Sequence, residues 1–125
     1  MLNDRYDNPL TTTSQSARDA YIEGVDSILS ANAGGGRVLQ RAIEADDGFA
    51  LAHVALARTL QISARGAEAV EAMTKARALT AGTSDREKGH IAMLGHLIDG
   101  DGPSAYAAAI DHLAAYPRDA LSPSL

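Results

Sequence analysis

Residues 50–83 read ALAHVALARTLQISARGAEAVEAMTKARALTAGT, and the fold turns on how this stretch is organised. With Phe49 before them, Ala52, His53, Leu56, Ala57 and Leu60 recur at helical spacing. Arg65 and Gly66 then break the pattern, and Ala69, Val70, Met73, Ala76 and Leu79 resume it. The stretch therefore predicts two helices joined by a short turn. Small side chains at Ala57, Ala69 and Ala76 let one helix approach the other closely. The pattern also has a period: Arg41-Ala42 and Lys75-Ala76 are 34 residues apart, as are Leu39 and Met73.

The same reading extends in both directions. From Ser14, the residues Ala17, Tyr21, Val25, Ile28 and Leu29 form one apolar stripe, while Asp19, Glu23 and Asp26 form a solvated acidic face. A second stripe, Val38, Leu39, Ala42 and Ile43, ends at the turn-forming Asp46-Asp47-Gly48. Ser84-Asp85-Arg86-Glu87 has the spacing of a capping box and opens a fifth helix through Ile91, Leu94, Leu97 and Ile98. Gly100-Asp101-Gly102-Pro103 breaks that helix, Pro103 suits the first turn of a sixth, and Pro117 follows the sixth helix's end. Six helices of similar length with no credible strand predict an all-α chain.

Composition limits what such a chain does. Of 125 residues, 46% are hydrophobic but only 4% aromatic, so alanine-rich helices packed closely are the expected core. A formal charge of -5 argues against a phosphate-backbone binder, and nucleic acid is not an expected partner. The absence of cysteine removes disulfides and thiolate chemistry. No signal pattern opens the sequence and no apolar run approaches a membrane span, so the expectation is a cytoplasmic protein without a membrane partner.

The 34-residue unit matches the tetratricopeptide pattern. His53 takes the usual Trp place, Leu56-Ala57 the Leu-Gly pair, Leu60 the Tyr place, Ala69 and Ala76 the small positions and Met73 the Phe place. A third unit matches in its second half, where Ala105, Ala109 and Pro117 follow Ala69, Met73 and Ala81 by 36 residues. Its first helix has two registers, with either Ala92-Met93 or Leu94-Gly95 at the Leu-Gly place. The first unit matches only in its second helix. The expected fold is a right-handed α-solenoid of three antiparallel hairpins, about 14–47, 48–83 and 84–119, behind an N-terminal arm of residues 1–13.

More closely, the succession PLTTTSQSARDAYIEGV, LQRAIEADDGFALAHVALA, SDREKGHIAMLGHLIDGD and HLAAYPRDAL resembles the N-terminal part of the tetratricopeptide-repeat protein 38 family. The resemblance spans nearly the whole chain, from about Pro9 to Leu121. LTTTS at 10–14, Arg86-Glu87…His90, and PRDAL at 117–121 are its most specific words. It implies an α-solenoid and supplies no catalytic residues. Members of that family are several times longer, and residues 121–125 are read as a truncated tail where a further hairpin would begin.

Candidate chemistry is sparse. The glycine run in NAGGGR, residues 32–37, lacks the Gly-Lys-Ser/Thr of a phosphate loop and follows a helix rather than a strand. A mobile turn that binds nothing is the expectation for its three glycines. His53, His90, His96 and His112 offer no i, i+4 pair for zinc, so packed or groove-lining roles are expected, with no metal and no cofactor. No nucleophile elbow or ordered triad is present, and the chain is expected not to be an enzyme. A concave groove from the first helices of the hairpins nominates Leu51, Val54, Arg58, Gln61 and Ile62, with His90 and Leu94, or alternatively His96, from the third. The expected function is a protein or peptide interaction scaffold; the alternatives are homodimerisation through an uncapped C-terminal hairpin and a fragment of a longer repeat protein. A blander outcome is a groove covered by the chain's own residues 5–10.

Overall fold

Breakers and caps divide the chain where the spacing predicts. The computed structural model describes residues 2–4, 8–29, 35–117 and 119, and its six α-helices are α1 (Gln15–Leu29), α2 (Gly35–Ala45), α3 (Ala50–Ile62), α4 (Gly66–Ala78), α5 (Asp85–Ile98) and α6 (Gly102–Ala115). A single 3-10 turn at Thr80–Gly82 precedes α5. Among the described residues there is no strand, only one antiparallel bridge between Asn3 and Pro9. The chain is all-α.

Local chemistry accounts for the helix starts. Ser84 accepts from the Glu87 N–H while the Glu87 carboxylate accepts from the Ser84 N–H, completing the capping box on α5. On α6 the Asp101 side chain accepts from the Ser104 N–H at 3.1 Å, and Pro103 sits in the first turn, where its missing N–H costs nothing. The glycine run departs from expectation. Gly35, Gly36 and Arg37 lie inside α2's first turn rather than in a connecting loop, because first-turn N–H groups need no helical acceptor and glycine is tolerated there. Residues 32–34 lie outside the described residues. Before α4 the positive φ falls on Ala64, at 60°, and Gly66 begins the helix.

Packing is closest between sequential partners: α1 with α2, α3 with α4 and α5 with α6. Glycine sets the approach in two of these pairs. A Cβ on Gly24 would lie 2.6 Å from Leu39 Cγ, and one on Gly89 would lie 2.4 Å from His112 Nδ1. The three pairs are joined through α3, which also meets α1, α2 and α5. Neighbours on several sides explain why eight consecutive residues, Ala50 to Ala57, are all buried. Tyr21 and Phe49 stack in a tilted pair at 5.1 Å within the same apolar cluster, which Leu10, Met73 and Leu94 complete.

Leu10 belongs to the arm, not to a helix. The arm folds back on itself, with the Asp4 N–H donating to Asn8 O and the Leu10 N–H to Leu2 O. It then passes the starts of three helices. Ser14 accepts from the Ala17 N–H at the head of α1, Thr12 donates to Asp46 in the turn before α3, and Thr11 meets Glu87 at the head of α5. Full burial of the Leu10 side chain is worth about 2 kcal/mol of apolar transfer. The arm therefore ties the first hairpin to the third.

Candidate functional site

The residues nominated for a concave groove separate into two groups. Leu51, Val54, His90 and Leu94 are buried, so they do not line an accessible surface. The reason is α3's position and α5's contact with it: an inner helix has no solvent face in its first two turns. Arg58, Gln61 and His96 are half-buried and Ile62 is exposed. Arg58 Nη1 donates to Gln61 Oε1 at 2.5 Å, and Gln61 Nε2 donates to Leu97 O at 3.0 Å, binding the ends of α3 and α5 together. What stays open of the expected groove is this polar strip together with Ile62. His53 is buried with Nε2 2.8 Å from Asp47 O, a packing role.

Polar chemistry is concentrated elsewhere, at the head of α5. Two consecutive helical residues there face inward with opposite charge. Arg86 Nη1 donates to Asp119 Oδ2 at 2.9 Å and Nη2 donates to Pro9 O at 2.8 Å. Asp119 Oδ2 also accepts from His112 Nε2 at 2.7 Å, with His112 carried by α6. Glu87 Oε2 accepts from the Thr11 N–H at 3.2 Å, and Oε1 accepts from the hydroxyls of Thr11 and Ser84. Arg86, Glu87, His90, His112 and Asp119 are all buried. Each of the three ions is paired or hydrogen-bonded, which is the condition for holding charge inside a protein.

Electrostatics follow from this burial. Burial pushes the Asp119 carboxyl upward, but the His112 hydrogen bond, nearby His90 and the Arg86 guanidinium together bring it below the usual carboxylate value. His90 behaves oppositely: burial, reinforced by Arg86 and His112 and opposed by Asp119, lowers it to about 4. Burial also raises the Tyr21 phenol, so it stays protonated. Neither ring nitrogen of His90, nor Tyr21 Oη, nor Asp119 Oδ1 makes a hydrogen bond among the described residues. No group of three or more His, Asp or Glu suited to a metal ion occurs among the described residues, and the cation beside Asp119 is a guanidinium.

The three most distinctive sequence words thus meet in space: Leu10 to Ser14, Arg86-Glu87 with His90, and Asp119 after Pro117. Sequence reasoning singled out those words without seeing that they converge. It placed Glu87 as a cap, Tyr21 in an apolar stripe and His112 in a packed or groove-lining role, and it gave Arg86 and Asp119 no part in a site. A signal existed, since Arg86 occupies a helix's second position beside an acid that spacing already turns inward.

Two further surfaces are open. A cavity of about 620 Å³ lies over α3 between α2 and α4, walled by Arg37, Gln40, Arg65 and Glu68 above Leu56 and Leu60. Gly36 lines its edge. On α6, Pro103, Ala107, Ile110 and Ala114 are exposed at alternating spacings of four and three, with Tyr106 beside them. Tyr106 is 71% and Ile110 52% exposed. Among the described residues no helix is long and apolar enough to cross a membrane. No family model, no curated protein and no solved structure matches the chain.

Proposed function

We propose that this chain is a non-catalytic protein-association module: a tetratricopeptide-like, right-handed α-solenoid of three hairpins that docks a partner helix on the outer face of α6. The observation that carries this reading is the exposed apolar seam of Pro103, Ala107, Ile110 and Ala114 with Tyr106 alongside. Spacings of four and three place those side chains on one stripe, the pattern by which one helix packs along another. An aromatic residue exposed beside aliphatic ones is also the composition of an interface centre. The solenoid part is supported by the packing of α3 against both α1 and α5, and by burial of Ile91, Leu94, Gly95 and Ile98 with exposure of Ala92, which favours the Leu94-Gly95 register.

A second copy of the chain is the other reading, favoured by the same seam because it is uncharged apart from adjacent Asp111 and can pair with itself. One experiment covers these possibilities. A photo-crosslinking amino acid placed at Tyr106, and separately at Gln61, is irradiated in cells expressing the full chain. Adducts from position 106 and none from position 61 support docking on α6, and an adduct of twice the chain mass identifies self-association. Adducts from position 61 alone would return function to the polar strip and refute the α6 reading.

A further inference from the structure

We infer that the head of α5 is a binding site for an extended peptide, which the chain's own Pro9, Leu10 and Thr11 occupy, and that the segment it accepts in trans is the same arm from a second copy. The contacts are those of peptide capture rather than of a buried loop. Arg86 grips a main-chain carbonyl, that of Pro9, and Glu87 grips a main-chain N–H, that of Thr11. Between these two anchors Leu10 is wholly buried, with Leu94 and Ile91 among its apolar cluster. Main-chain bonds on either side of one buried side chain give affinity along the backbone and specificity at the anchor. The Thr11 hydroxyl, which donates to Glu87, adds a requirement for a hydroxyl residue after the leucine.

The receiving side is held in place by contacts that do not involve the arm. Glu87 is fixed by Ser84 through the capping box, at 3.2 Å from the Ser84 N–H and 2.9 Å from its hydroxyl. Arg86 is fixed by Asp119, and Asp119 by His112. His112 in turn sits where Gly89 leaves room for its ring. A clamp organised by its own hairpin keeps its shape when the occupant leaves, so little reordering opposes rebinding. The arm, by contrast, is held by the clamp and a few further contacts, and it runs on into α1 after Ser14. Exchange between two copies recovers every contact, leaving linker geometry and concentration to decide the balance.

This site does not depend on the α6 reading and is tested separately. A fluorescent peptide of residues 1–14 is titrated into the full-length chain and into its Leu10→Ala and Thr11→Ala variants, with polarisation as the readout. In the wild type the tethered arm competes, so binding is weak. Weakening the tethered arm raises the open fraction and should tighten peptide binding by about tenfold in Thr11→Ala and by more in Leu10→Ala. A peptide carrying Leu10→Ala should lose binding to all three chains. Helical content by circular dichroism establishes that each variant is folded, and Thr11→Ala, which keeps the anchor, decides the matter if Leu10→Ala does not fold. Folded Thr11→Ala that binds the peptide no better than wild type, or equal binding of the Leu10→Ala peptide, would overturn the inference.

Discussion

Acid should loosen this fold through one buried side chain, His90. The imidazole is buried beside Arg86, His112 and Asp119, and its pKa falls from 6.5 to about 4. A basic group whose folded value is depressed is held neutral by the fold. Between these two values the unfolded chain binds a proton that the folded chain refuses, so stability declines as pH drops through 6.5 and the decline ends near 4. Each tenfold difference in proton affinity between the two states is worth about 1.4 kcal/mol, so the full loss is about 3 kcal/mol and the part between pH 7 and pH 5 about 2 kcal/mol. Asp119, whose carboxyl is lowered, contributes stability that disappears only below the ordinary carboxylate value, outside that window. Urea unfolding at pH 7 and pH 5 measures the difference. His90→Leu removes the imidazole without opening a large cavity, and with neither ring nitrogen hydrogen-bonded it should cost less than about 1 kcal/mol at pH 7. It should also cancel most of the loss at pH 5. An undiminished pH 5 loss in His90→Leu, or an NMR titration of the His90 ring centred near 6.5, would refute the reasoning.

Three further substitutions follow, two in the same region and one on the surface as a contrast. Asp119→Ala leaves the buried Arg86 without its carboxylate and should cost about 3 kcal/mol, whereas Glu68→Gln, which breaks the exposed pair with Arg65, should cost less than about 0.5 kcal/mol; thermal unfolding of both, compared with wild type, reads the contrast. Gly89→Ala places a methyl group 2.4 Å from His112 Nδ1 and should destabilise by about 2 kcal/mol despite alanine's better helix propensity, which calorimetry would show as a lowered midpoint; a raised midpoint would mean that α6 shifts freely.

The helices were legible because their signals are local. Ser84 and Glu87 stand three apart and make a cap whatever surrounds them, and Pro103 and Gly102 mark a start by backbone chemistry alone. What escaped the sequence depends on which helix lies inside. The first turns of α3 carry Leu51 and Val54 on a face that a two-sided helix would offer to a groove; four packed neighbours bury it, and their arrangement is not written in the period. The cluster at α5 escaped for a related reason. Its bonds join residues separated by 33 and 77 positions, and a helical period carries no information at that range. Gly35 and Gly36 misled because glycine serves a helix's first turn as readily as a loop.

The arm's path also sets an order of events during synthesis. Residues 8–12 leave the ribosome before Arg86 and Glu87, which secure them and are made more than seventy residues later. Until α5 emerges, Leu10 has no finished pocket and stays exposed to whatever the nascent chain meets. The arm is translated before its clamp and can be placed only after it, and its docking reports that the third hairpin has formed.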